Sequence, residues 1–308
     1  MRISTGQIWG NALGNLMDAQ HRMAKANDQV STQKVATDLM GHGRSSEIIA
    51  AYQSSLAKSE GYIDVNKTVA DRLESQDLAL TTASDSAASA KDAIMNALAS
   101  GESSAMMTSL QGAFSSALDG LNYVHNGQYL FGGGNDDQPP VTVTSMSGLT
   151  ALGSVAAGFQ NGDIKKSSRI DVHTTVQTGM LASDLGTALM QTFRDIQAYN
   201  DDPLTGPFGA ELTDAQKAFL TTKSQEFNTH YDNLVQQTSL NGTLQNRVDN
   251  TTKSLEGQVK TLSGLISDRT DVDLAKAYTD LQMAQVSVQA SAQVLSSLNQ
   301  TSLLNLLK

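Results

Sequence analysis

Leu274, Leu281, Val288 and Leu295 recur every seven residues near the end of the chain, and Ala277, Ala284, Ser291 and Leu298 follow each of them by three. That spacing is the seam one helix offers another in a coiled coil. A second apolar row, Met283, Val286, Ala290 and Val294, falls on the opposite side of the same helix at i, i+3 and i+4 intervals. From Gln282 to Leu307 no residue is charged, so the helix lacks the outer face that water normally requires. It is not a membrane span either, because Gln282, Gln285, Gln289, Gln293 and Asn299 would need partners in lipid. A helix of this kind has to be covered by protein on two sides, and residues 271–307 read as an assembly helix.

Residues 5–36 present the same problem at the other end. Trp9, Leu16, Met23 and Val30 are heptad-spaced, with Leu13 alongside, and Ala12, Ala19 and Ala26 fill the positions three later. Alternation of large and small side chains suits close helix packing. Gly10 and Gly14 each cost ~1 kcal/mol of helix propensity relative to Ala, so the helix is marginal alone and needs partners to order it. The two chain ends are predicted to pair. The expected assembly interface comprises Trp9, Leu13, Leu16, Met23, Val30, Leu274, Leu281, Val288, Leu295, Leu298, Leu303 and Leu304.

All four prolines, Pro139, Pro140, Pro203 and Pro207, lie in the middle third, and long proline-free flanks surround them. Uninterrupted helices are therefore expected outside and a different architecture inside. After a break at 37–44, Ile49, Leu56 and Ile63 and then Leu73, Leu80, Ala87 and Ile94 predict a long helix, with the apolar stripe shifted where the step from 63 to 73 exceeds a heptad. A further helix is expected over about 104–125. Asn126-Gly127-Gln128-Tyr129-Leu130-Phe131 then reads as a turn and a short strand-like burst, followed by a glycine run taken as a linker. Val141–Thr144 and Arg169–His173 read as strands, and 181–199 as a helix. Thr213-Asp214-Ala215-Gln216 is a capping box. It opens a helix carrying Leu220, Phe227 and Leu234 that is expected to loosen at Asn241-Gly242 and to resume with Val248, Leu255 and Leu262. A charged break at 268–273 precedes the last helix. The expected fold is mainly α: a long antiparallel helical rod whose N- and C-terminal helices pair as a coiled coil, plus a small α+β insert. In domain terms, 1–44 and 269–308 are terminal assembly helices, disordered in the monomer. Residues 45–137 and 181–268 form the helical rod, and 138–180 a small β-rich insert.

Composition removes several classes of function. The 308 residues contain no cysteine, which excludes disulfides, thiolate metal sites and a cysteine nucleophile. A net charge of −10 argues against a nucleic-acid partner. No ordinary secretory signal is expected at the N-terminus, and no window is long and apolar enough for a transmembrane helix, so no membrane partner is expected. The five histidines are scattered without metal-ligand spacing. Gly132-Gly133-Gly134-Asn135-Asp136-Asp137 lacks the Lys-Ser/Thr of a phosphate loop and the alternating acids of a Ca²⁺ loop. The Asn-x-Thr matches at Asn66, Asn241 and Asn299 arise readily by chance in so Asn- and Thr-rich a chain. With no nucleophile elbow and no convincing carboxylate pair, the chain does not read as an enzyme, and no cofactor is expected.

Several segments together resemble a known family. These are Met1-Arg2-Ile3-Ser4-Thr5, Val30-Ser31-Thr32-Gln33-Lys34-Val35, Asn126-Gly127-Gln128-Tyr129-Leu130-Phe131-Gly132-Gly133, Asp280-Leu281-Gln282 through Ser291, and Ser302-Leu303-Leu304-Asn305-Leu306-Leu307. They are similar to the flagellins and hook-associated proteins of the bacterial flagellum. The Asn-Gly-x-Tyr-Leu-Phe segment is most similar to the subunits that join hook to filament. The likeness covers the two flanks and leaves 138–210 unmatched. It departs at 37–46, where family members usually carry an Asp-Asp-Pro/Ala loop and this chain reads Thr-Asp-Leu-Met-Gly-His-Gly-Arg-Ser-Ser. The resemblance implies a non-enzymatic, secreted structural subunit of the flagellum, exported unfolded through the flagellar type III apparatus. Its implied partners are hook-associated protein 1, flagellin, further copies of itself in a ring, and an export chaperone before secretion. A short flagellin of the filament is the sibling alternative, and a soluble helical protein-binding module the alternative of a different class.

Overall fold

The long proline-free flanks fold as long helices. The computed structural model describes the backbone of residues 5–306 and the side chains of residues 6–300. The order of elements begins with α1 (Thr5–Thr32), a 3-10 turn (Met40–Ser45), α2 (Ser46–Ser100) and α3 (Met106–Leu121). Short strands β1 (Val124–His125) and β2 (Gln128–Tyr129), then α4 (Met146–Ala151), a second 3-10 turn (Val155–Gly158), β3 (Ser167–Arg169) and β4 (Thr175–Gln177), occupy the middle. The chain returns through α5 (Ala182–Asp201), α6 (Asp214–Thr270) and α7 (Leu274–Leu306). It is mainly α, with long helices and few short strands. Two compact units result: one takes the chain up to Lys58 and from Gly257 onward, the other is Ser59–Glu256, the division falling inside α2 and α6.

The second unit is built on α2 and α6. Along α2 the buried positions Ser59, Asn66, Leu73, Leu80, Ala87 and Ile94 keep an unbroken seven-residue step; along α6 so do Leu220, Phe227, Leu234, Asn241, Val248 and Leu255. Two expectations are thereby corrected. The stripe does not shift between 63 and 73, and α6 does not loosen at Asn241-Gly242. In both places the seam runs through a polar residue that sequence patterning assigns to solvent. The helices are antiparallel within this unit: Asn241 Nδ2 donates to Leu73 O at 2.7 Å, Lys91 Nζ to Asn228 Oδ1 at 3.4 Å, and Ser224 Oγ meets Met95 Sδ at 3.6 Å. Gln245 Nε2 reaches the same Leu73 carbonyl at 3.0 Å. Helix α6 starts with the expected capping box: Gln216 N donates to Thr213 Oγ1 at 3.3 Å, and Gln216 Oε1 accepts from Thr213 N at 3.0 Å.

Helices α3 and α5 complete this core. Phe193 of α5 sits between Phe114 of α3 and Phe227 of α6, with ring centroids 5.4 and 4.8 Å away in edge-on geometry. Gly120 lets α3 close on α2: a Cβ there would lie 2.8 Å from Ala79 O and 2.9 Å from Ala83 N. Strands β1 and β2 pair antiparallel around Asn126-Gly127, both at positive φ (51° and 79°), the two-residue turn that matches strand twist. The hairpin delivers Leu130 and Phe131 into the core, and Arg72 Nη2 donates to Leu130 O at 2.9 Å. The glycine run that follows is not a flexible linker. Gly132 and Gly133 are buried, and a Cβ on Gly132 would lie 2.6 Å from Asn135 O.

Residues 138–180 contain α4, the second 3-10 turn and the β3–β4 ribbon, three residues a side. Val141–Thr144 is not a strand: only an isolated bridge from Val141 to Phe159 forms. Arg169 alone of 169–173 is in a strand, the rest turning back towards β4. In this segment Ser145 caps α4 by accepting from Gly148 N, and α4 packs on α5.

Candidate assembly interface

In the first unit α1 lies antiparallel along α7. Among the described residues, the buried ones of this pair are alanines: Ala12, Ala19 and Ala26 on α1, Ala277 and Ala284 on α7. Small side chains at the closest approach let two backbones come near, while the larger residues flank them and keep part of their surface in water. Among the predicted interface residues, Trp9, Leu16, Met23 and Val30 on α1 and Leu281, Val288, Leu295 and Leu298 on α7 are half-buried. These are the ones the structure brings together. Leu13 is 52% exposed and Leu274 39% exposed, so both stand outside the seam. The side chains of Leu303 and Leu304 lie outside the described residues, as do Met1–Ser4 of the opening motif. The second row of α7 is open: Met283, Val286 and Val294 are 57%, 65% and 53% exposed.

A short clasp closes the root of the pair, a feature not anticipated from sequence. Gln33, in a left-handed conformation (φ 60°), turns the chain out of α1. Val35 N then donates to Thr270 O at 2.7 Å, and Val272 N to Gln33 O at 3.0 Å. Between them Lys34 pairs with Asp271, whose carboxylate also accepts from the Ser267 and Thr270 hydroxyls. The Lys34 and Ser267 donors hold the Asp271 carboxyl down at about 2. Asp273 caps α7 by accepting from Lys276 N at 3.1 Å. The only sequence signal was the charged break at 268–273, which carries the right residues without revealing their partners.

The polar clusters of the second unit are internal braces. Lys223 lies 2.7 Å from Asp195 and 2.9 Å from Glu226; burial opposes its charge, but the two carboxylates outweigh it and raise its pKa. Thr192 bonds Glu226 and the His230 ring at 3.0 and 2.9 Å, and burial lowers the His230 pKa. Thr192 is buried, which leaves its hydroxyl no route to a substrate. Asn66 and Asn241 are fully buried, out of reach of glycosylation. Among the described residues no group of three or more His, Asp or Glu could hold a metal, and no helix is long and apolar enough to cross a membrane.

The described residues form long helices, with alanines buried in the terminal pair and an apolar row left open on the last helix. Residues 225–307, covering most of α6 and α7, match the family described as the bacterial flagellin C-terminal helical region. The sequence likeness to that family is confined to this region. The fold is similar to that of a flagellar hook-associated protein from Vibrio parahaemolyticus, with TM-score 0.59 and 14% identity over 76% of this chain and 99% of that one. It is also similar to Bacillus cereus FlgL, with TM-score 0.53 and 15% identity over 70% of this chain and 97% of that one. No curated protein sequence matches the chain.

Proposed function

We propose that the chain is a subunit of the junction between flagellar hook and filament, and that it joins its neighbours through α1 and α7. The observation that carries this reading is the open row of Met283, Val286 and Val294 on a helix with no charge from Gln282 onward. An apolar face rimmed only by neutral polar groups is the surface one protein offers another. The neighbours are further copies in a ring, hook-associated protein 1 on the hook side and flagellin on the filament side, with an export chaperone before type III secretion. The interface adds Leu13, Leu274, Leu303 and Leu304 to the residues of the α1–α7 seam. Because pairing within one chain fully buries little but alanine, 1–44 and 269–308 order only on assembly.

The match of residues 225–307 suits a short flagellin equally well. The Asn126–Phe131 hairpin favours the junction subunit, since that segment separates the two groups in the resemblance. Deletion of the gene decides. Hooks without filaments and flagellin shed into the medium are expected; normal filaments on the deletant would exclude the junction role.

A further inference from the structure

Both seams of the terminal pair are periodic, and periodicity leaves register open. With Lys34 beside Asp271 at the root, the buried alanines follow outward in the same order on both helices, Ala26 with Ala277 and Ala19 with Ala284. Sliding α7 by seven residues sets Ala19 against Ala277, or against Ser291, and again puts large side chains beside large ones. The apolar core therefore discriminates poorly among registers about 10 Å apart. Something outside the seam has to choose.

We propose that the clasp of residues 33–35 on 270–272, with the Lys34–Asp271 pair at its centre, sets the register in which α1 pairs with α7. The clasp is tied more heavily than a connecting loop needs. Besides the two backbone bonds and the ion pair, Gln29 Nε2 donates to Val35 O at 3.1 Å and Lys34 Nζ to Thr270 Oγ1 at 3.4 Å. Lys34 N in turn donates to Thr32 Oγ1 at 3.3 Å. Gln33 holds a left-handed backbone that a non-glycine residue rarely adopts, and it is the residue that aims Lys34 at Asp271. Thr270 ends the continuous helix α6, so its carbonyl is a fixed mark against which α1 is measured. A slip of one heptad breaks both backbone bonds to 270–272 and both contacts of Lys34 with Thr270 and Asp271, and costs the seam only its overhanging end.

The inference deepens the assembly reading and rests on the terminal helices pairing, not on where in the flagellum the subunit stands. Its test uses the absence of native cysteine. In particles assembled from the full chain, Ala19→Cys is combined with Ala284→Cys, with Ala277→Cys or with Ser291→Cys, and disulfide yield is measured under oxidation. With the clasp intact the Ala19/Ala284 combination is expected to dominate both slipped ones. Lys34→Glu should lower that preference roughly fivefold, the scale of one exposed ion pair. Val35→Pro, which removes the donor to Thr270 O, should lower it further. Lys34→Asp with Asp271→Lys should restore it. An unchanged preference in Lys34→Glu and Val35→Pro would overturn the proposal, as would failure of all three combinations to cross-link in the particle. Either result leaves the deletion phenotype untouched, so the two readings fail separately.

Discussion

Asp271 gives the terminal pair its acid sensitivity. Its carboxyl sits at about 2 in the folded chain against an ordinary 3.8, so it favours the fold while ionised. That contribution is present in full above about pH 4 and is lost as pH falls through about 2. In the assembled particle, amide hydrogen exchange at Val35 and Val272, corrected for intrinsic rates, should show protection falling across this window, and Asp271→Asn should remove the extra fall. A second residue-scale expectation concerns Asn66, fully buried in the α2–α6 seam with no protein partner for its side-chain amide. Such a group costs about 1–3 kcal/mol. Leu73 and Leu80 occupy the same heptad position, so Leu fits there, and Asn66→Leu should raise stability by about 1–2 kcal/mol in urea unfolding. Asn241→Leu should gain less, because Asn241 gives up its bond to Leu73 O. A loss of stability in Asn66→Leu would mean the amide is better satisfied than its surroundings allow.

At the scale of elements the two faces of α7 answer to different partners. Val286 is open, while Leu281 and Val288 face α1. Val286→Asp should therefore abolish assembly and leave the free chain's melting unchanged; a parallel drop in melting temperature would place that face inside the single chain. Leu281→Asp and Val288→Asp should also block assembly, by burying an unpaired charge once the pair is covered. In the α2–α3 contact, Gly120→Ala should cost about 1–3 kcal/mol, because neither Ala79 O nor Ala83 N can retreat without moving α2. The helices, the capping box at Thr213 and the Asn126-Gly127 turn were legible in the sequence, since each is governed by neighbours in the chain. The continuity of α2 through Ser59 and Asn66, and of α6 through Asn241, was not: a buried polar residue looks like a solvated one until its partner helix is placed. Gly132 and Gly133 were misread for the same reason. Close backbone approach to Asn135 and Gly162 is a tertiary fact that local sequence does not carry.

For the whole molecule, the pairing of the chain ends was legible from matching seams, and so was the row left over on α7. The clasp was not, because Lys34 and Asp271 lie 237 residues apart and neither stands out locally. On the proposed function the ends order on assembly, since among the described residues the pair alone buries little but alanine. Limited proteolysis of the free full-length chain against the assembled particle tests this directly. The free chain should be trimmed through 1–44 and 269–308 to a resistant remainder while the particle keeps both ends; free ends as resistant as residues 59–256 would contradict it.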